Sequence, residues 1–408
     1  MIRVELNNAN LDLGFKEFEK EIDLVMNLKT PDFARVAVDT RLIKRIAKKY
    51  SHYKNLIIIG NGGAINSFRA FYEALAKQAG KKNVFILNTP EPDYINYLNK
   101  NLSKKETLVL SISKSGTNIT NLEATAAFME YPVLAITTKD SGALFEIAKK
   151  KGWDIIYYPP YEEYPDLDDR FTGATASGLG PAAICGINID KITSGIKEAH
   201  AVCAPKVGIK DNPALALACA LYSLDLKGYG EIFCLIYSTK LVGFLPLVVQ
   251  LMHETICKDG KGQTVYGDLA PECQHHTNQR FFGGKKNAIG LFIDVKCEDK
   301  DSKVLFPEDY ADIKLRNSRL KDIIGISYAK SLAFEMQGTY QDAVNKKIPV
   351  VKISIGRVDE RSVGQFLGFL QYLAVYSGII RNVNPYGQPQ VESSKEISFM
   401  LRKKYKKE

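Results

Sequence analysis

The sequence is poor in features that staple, anchor or thread a chain. Its seven cysteines, Cys185, Cys203, Cys219, Cys234, Cys257, Cys273 and Cys297, are odd in number, and no two have Cys-x-x-Cys spacing. That pattern argues against a disulfide framework and fits small apolar side chains in a reducing cytoplasm. No low-complexity tract appears, so extensive disorder is not expected. The opening stretch, MIRVELNNANLDLG, lacks the basic-then-apolar form of a secretory leader. The longest apolar run is taken as Leu241–Met252, short of the roughly 20 residues that cross a bilayer. No nucleic-acid recognition motif accompanies the net charge of +9. The basic residues are spread out, apart from Lys149-Lys150-Lys151 and the terminal run Arg402–Lys407. Such a surplus suits a small anionic substrate such as a phosphate ester. The expected partner is that small molecule, with no nucleic acid and no membrane.

Apolar content is ample, at 45% of 408 residues, for two or three domains. Residues 1–54 read as a helical lead-in, with helical apolar spacing over Phe15–Leu28 and a second helix over about Val38–Lys49. Short, apolar, β-branched runs follow at Leu56–Ile59, Val84–Asn88, Leu108–Ser113, Val133–Thr137 and Asp154–Tyr158, with helical patterns between them. Residues 159–180 are rich in acids, Gly and Pro and fit a connecting or active-site loop. A helical stretch runs over about 181–227. A second strand series occupies Glu231–Tyr237, Ala288–Asp294 and Val350–Ile355, with helices at about 241–257, 330–345 and 361–379. The alternation predicts an α/β protein with two doubly wound parallel sheets. The expected units are 1–54, 55–180, 181–380 and a C-terminal segment with a basic tail, 381–408.

Two loops follow strands. Gly60-Asn61-Gly62-Gly63-Ala64 can be a structural turn, or a sugar-ring or phosphate loop at a helix start. A nicotinamide site is disfavoured, because Ile65 replaces the third glycine of Gly-x-Gly-x-x-Gly and the next strand ends at Asn88 instead of an acid. Ser113-Lys114-Ser115-Gly116-Thr117-Asn118 offers hydroxyls, a glycine and a helix start at a strand's carboxyl end. Those are the parts of a phosphate cradle, although an ordinary cap and turn uses them too. It is not a Walker A loop. The pair His275-His276, with Glu272 and Cys273 nearby, invites a zinc reading, but no further His or Cys ligand sits at standard spacing.

Gly-Gly and Ser-Lys-Ser-Gly-Thr, each after a strand, resemble the sugar isomerase (SIS) domain. Four further stretches resemble the phosphoglucose isomerase family. They are Asp169-Arg170-Phe171-Thr172, Glu254-Thr255-Ile256-Cys257-Lys258, Gln274-His275-His276 with Gly284 following, and Tyr386-Gly387-Gln388-Pro389-Gln390-Val391-Glu392-Ser393-Ser394-Lys395. The resemblance spans residues 55–395 in the family's order and is nearest the shorter archaeal and bacterial enzymes. The chain departs from the family's usual pattern at Ala64, Asn118, Asp168, Asp169, Cys257 and Gln390.

The resemblance implies two SIS domains and isomerisation of glucose 6-phosphate and fructose 6-phosphate through a cis-enediol, with no cofactor and no metal. Glu254 is then the base that moves the proton between carbons. Arg170 stabilises the enediolate with a permanent, forked charge. Its simpler alternative is a salt bridge with Asp168 or Asp169. His275, titrating near neutrality, and Lys395 open the sugar ring. Gly62, Gly63, Ser113, Lys114, Ser115, Thr117, Asn118 and Gln388 bind the substrate. The resemblance also implies a cytoplasmic homodimer whose active site takes its histidine from the neighbouring subunit. The alternatives are an isomerase or epimerase of a related sugar phosphate, such as mannose 6-phosphate, and a non-catalytic SIS sensor.

Overall fold

The computed structural model describes residues 2–7, 18–77, 81–296, 299 and 301–406. The first turn of the expected helix at 15–17, Cys297 and Lys407 lie outside them.

Twelve strands are formed by the described residues: β1 Arg3–Asn7, β2 Asn55–Ile59, β3 Asn83–Leu87, β4 Thr107–Ile112, β5 Val133–Thr137, β6 Asp154–Tyr157, β7 Glu231–Ile236, β8 Thr264–Leu269, β9 Ala288–Val295, β10 Lys314–Leu315, β11 Ser318–Arg319 and β12 Val350–Ile355. The first large sheet has the order β3-β2-β4-β5-β6 and is wholly parallel. The second has the order β1-β12-β9-β7-β8. Its four later strands are parallel, and β1 joins β12 antiparallel, with Arg3 opposite Ser354. The α/β class with two parallel sheets is therefore as expected.

Continuous apolar runs become strands here because both sheet faces are covered. In β2, Leu56 and Ile58 enter the main core, while Ile57 and Ile59 pack on the other face with Leu87, Leu98 and Phe128. The second sheet does the same: Ile232 and Cys234 face the main core, while Phe233 and Leu235 meet Phe281 and Phe292. The main core runs between the sheets and includes the helix Glu360–Ile380.

Three expectations need correction. Residues 1–54 are not wholly helical: β1 opens the chain as the antiparallel edge of the second sheet, and its half-exposed alternation hides it among polar residues. The strand β8 escapes a reading of apolar runs because Gly267 and Asp268 interrupt it. The longest apolar element is the helix Glu360–Ile380, not 241–252. It is long and apolar enough to cross a membrane, but 89% of its apolar window is buried inside the protein, against the helices Ile189–Cys203, Pro213–Leu226 and Leu245–Ile256.

Candidate active site

In the first sheet the chain moves from β2 out to β3, then returns to the other side of β2 as β4. Ligands of doubly wound sheets bind where strand order reverses in this way. The two sequence-predicted loops lie there, at the carboxyl ends of β2 and β4. Gly62 takes a positive φ of 52° and precedes the helix Gly63–Leu75. A Cβ on Gly63 would lie 2.2 Å from the Asp169 carbonyl carbon, so only glycine lets this helix start touch the Asp169-Arg170 backbone. Asn61 ties the loops together, donating to Asn121 Oδ1 at 2.7 Å and Thr120 Oγ1 at 3.0 Å.

The loop 113–118 is a turn with Gly116 at φ 65°. Asn118 caps the helix Ile119–Ala126 by accepting from the Asn121 N–H at 3.2 Å. Thr117 donates to Ser115 Oγ, and both side chains are exposed. Lys114 instead turns inward and donates to the Leu167 carbonyl. Burial lowers its pKa, while Asp169 and Asp168 oppose that shift.

Arg170 is buried to 1% exposure on the short helix Asp169–Ala174. Its Nη1 donates to Glu254 Oε2 and to Gln388 Oε1, each at 3.2 Å, and its Nε donates to Thr255 Oγ1 at 3.2 Å. Nη2 donates to the carbonyls of Pro385 at 2.7 Å and Gly387 at 3.3 Å and pairs with Asp168 at 3.0 Å. The salt bridge to Asp168, the simpler reading of this arginine, is therefore present, and the same guanidinium also bridges to Glu254. The adjacent Asp169 behaves differently. Burial raises its pKa; Asp168 and Glu254 add to the rise, while Lys114 and Lys395 oppose it.

Glu254 stands in the last turn of the helix Leu245–Ile256. This helix leaves the carboxyl end of β7 and runs back along the sheet, so Glu254 lies at the amino edge of the second sheet. The Val265 N–H, at the start of β8, donates to His253 Nε2 at 2.7 Å and fixes that placement. Gln250, one turn earlier, donates to Glu254 Oε1 at 2.9 Å and accepts from Asn66 at 2.7 Å. The site thus sits between the carboxyl edge of the first sheet and the amino edge of the second.

His275 is elsewhere. The six residues of β8 carry the chain to the opposite edge of the second sheet, roughly 20 Å away at about 3.3 Å per residue. There His275 is exposed, and its neighbour Gln274 donates to Glu335 at 2.7 Å on the helix Tyr328–Asn345. A cleft of about 1120 Å³ between the ends of β9 and β12 and that helix shares this edge, away from Glu254. Lys395 is exposed in the first turn of the helix Glu392–Tyr405, paired with Glu392 at 2.7 Å, and near enough to Asp169 to favour its ionised form. The structure therefore joins Gly62, Gly63, Arg170, Glu254 and Gln388, with Lys114 linked through Asp169. It leaves His275 apart.

Sequence reasoning missed Gln250, whose position four residues before Glu254 on one helix was the available signal. It also gave Lys258 no role. Among the described residues, no three His, Cys, Asp or Glu side chains gather as a metal-holding group.

No family model matches the chain. A glucose-6-phosphate isomerase of Methanocaldococcus jannaschii is 28% identical over 378 residues, covering 91% of this chain and 89% of that protein. A hypothetical protein of Thermus thermophilus shares the fold with a TM-score of 0.83 at 21% identity, covering 98% of this chain and 99% of that one. A glucose-6-phosphate isomerase of Chlamydia trachomatis superposes with a TM-score of 0.76 at 17% identity, covering 99% of this chain and 89% of that one. Motif order, relatives and fold agree: the chain is a homologue of the glucose-6-phosphate isomerases.

Proposed function

We infer that this protein interconverts glucose 6-phosphate and fructose 6-phosphate by moving one proton between C1 and C2 through a cis-enediol. The observation that carries this reading is the Glu254–Arg170 pair: a carboxylate base at 3.2 Å from a buried, permanently charged fork. Glu254 removes the carbon-bound proton and returns it to the neighbouring carbon. As the proton leaves, negative charge grows on the substrate oxygen, and Arg170 supplies the compensating charge without reorganising. Gln250 holds the second carboxylate oxygen, so the base presents one orientation. The phosphate lies in the loop 113–118, against hydroxyls, backbone N–H groups and the helix start.

Ring opening falls to Lys395 and His275. In this reading the site takes its histidine from a second copy, which the place of His275 on the far edge of its own second sheet supports, and the protein acts as a homodimer with shared sites. Residues 55–180 and 181–380 are read as its two SIS units, and glycolysis or gluconeogenesis in the cytoplasm as its setting. A coupled assay converting fructose 6-phosphate to glucose 6-phosphate in the presence of EDTA tests the reading. Turnover under those conditions supports it. No turnover, or turnover only when a divalent metal or nicotinamide is restored to the isomerisation step, refutes it.

A further inference from the structure

The segment 384–388 carries Gln388 and leads to Lys395, and it has no strand or helix of its own to hold it. It is held by side chains from two other parts of the site. Arg170 binds the carbonyls of Pro385 and Gly387. Asp168 Oδ2 accepts the Gly387 N–H at 2.7 Å, which gives this aspartate a structural task. Further hydrogen bonds come from Lys258, four residues past Glu254. Its Nζ donates to the carbonyls of Asn384 at 2.6 Å and Tyr386 at 2.8 Å. The residue is buried to 6% exposure. Lys261, one turn further, donates to the carbonyls of Arg381 at 2.9 Å and Asn382 at 3.3 Å.

A buried ammonium is costly unless its protons are used. Here two of them go to backbone carbonyls that alternate with the two held by Arg170. Each of the successive carbonyls of Asn384, Pro385, Tyr386 and Gly387 is thus bound by one of the two cations. We propose that Lys258 is a positioning residue for the isomerase reaction, locking the Gln388–Lys395 segment to the end of the helix that carries Glu254. The proposal rests on the isomerase reading. Without the lock, the base and Arg170 remain, but the groups brought by the C-terminal segment lose their fixed distance from them.

Burial, helped by Arg170, brings the Lys258 pKa down to about 8, while Asp168, Glu254 and Asp259 oppose the fall. The lock should therefore weaken as pH rises past that value, when the amine loses its charge. Arginine at this position stays charged.

The test compares wild type, Lys258→Met and Lys258→Arg. In Lys258→Met, kcat should fall on the order of a hundredfold, while inhibition by inorganic phosphate, which reads the loop 113–118, stays within twofold. Lys258→Arg should recover at least a tenth of wild-type kcat, and its alkaline limb should move to higher pH. Amide hydrogen exchange over 381–391 should accelerate in Lys258→Met and not over 113–118. That exchange measurement does not depend on turnover, so an inactive wild type would refute the isomerase reading while leaving the lock testable. Unchanged exchange over 381–391 in Lys258→Met, or wild-type kcat in that variant, overturns the proposal. If Lys258→Met does not fold, a Lys258→Arg protein whose alkaline limb coincides with wild type overturns it as well.

Discussion

Replacing Arg170 by lysine keeps the charge and removes the fork. The guanidinium serves Thr255, Glu254, Gln388, Pro385 and Gly387 from three nitrogens and also pairs with Asp168. One ammonium has three protons and a shorter reach, so at least two of these acceptors lose their donor. Each buried acceptor left unsatisfied costs about 1–3 kcal/mol, so the variant should be destabilised by roughly 2–6 kcal/mol. Losing a pre-aimed donor at the developing oxyanion should lower kcat by about 10²–10³. Urea unfolding and the coupled assay measure the two effects separately. A folded Arg170→Lys protein with kcat within threefold of wild type would refute the assignment of Arg170 to the enediolate.

Ser115→Ala removes a hydroxyl from the phosphate loop; a lost hydrogen bond to a charged group costs about 1.5–3 kcal/mol, so fructose 6-phosphate affinity should drop tenfold or more. Unchanged affinity removes the loop from the site. Asp169→Asn tests the buried carboxyl, whose raised pKa keeps its proton in the folded state after the unfolded chain has lost it above about 3.8. The stabilisation is complete below that value and is lost as pH rises through the raised folded value, so the variant should gain stability relative to wild type as pH rises above about 3.8. A stability difference independent of pH contradicts the burial argument. Mixing Glu254→Gln with His275→Ala protein under subunit exchange should restore partial activity, because one site of the heterodimer is intact. Heterodimers that form and stay inactive would place His275 outside the site or within its own subunit.

The parts of this protein that the sequence exposes are those with a local physical pattern. The strands β2, β4, β5, β7, β9 and β12 are predominantly apolar because both faces are covered, and their bounds are readable to within about a residue or two. The edge strands β3 and β6 keep enough of that signal to be read, but β1 alternates half-exposed polar residues and β8 is broken by Gly267 and Asp268, which is why those two stay hidden. The helix Glu392–Tyr405 buries none of its residues, so no apolar stripe packed on a core marks it as more than a tail. In the site, Glu254, Arg170 and Gln388 are legible through motif order, but their meeting is not. Arg170 contacts partners 84 and 218 residues away. The Lys258 bonds to Asn384 and Tyr386 also follow no spacing rule. The opposite placement of Glu254 and His275 depends on β8, so the strand that the sequence conceals conceals their separation as well.

Glu254→Gln bears most directly on the central claim. Glutamine keeps the shape and one oxygen to accept from Arg170 or Gln250, not both, and it cannot act as a base, so isomerisation should fall by about 10²–10⁴. The wild type, run from fructose 6-phosphate in heavy water, should place deuterium at C2 of the glucose 6-phosphate formed. Glu254→Gln should nearly abolish that labelling while still binding fructose 6-phosphate and accelerating exchange between its anomers. A folded Glu254→Gln enzyme that turns over and labels C2 at near wild-type rates would contradict the account.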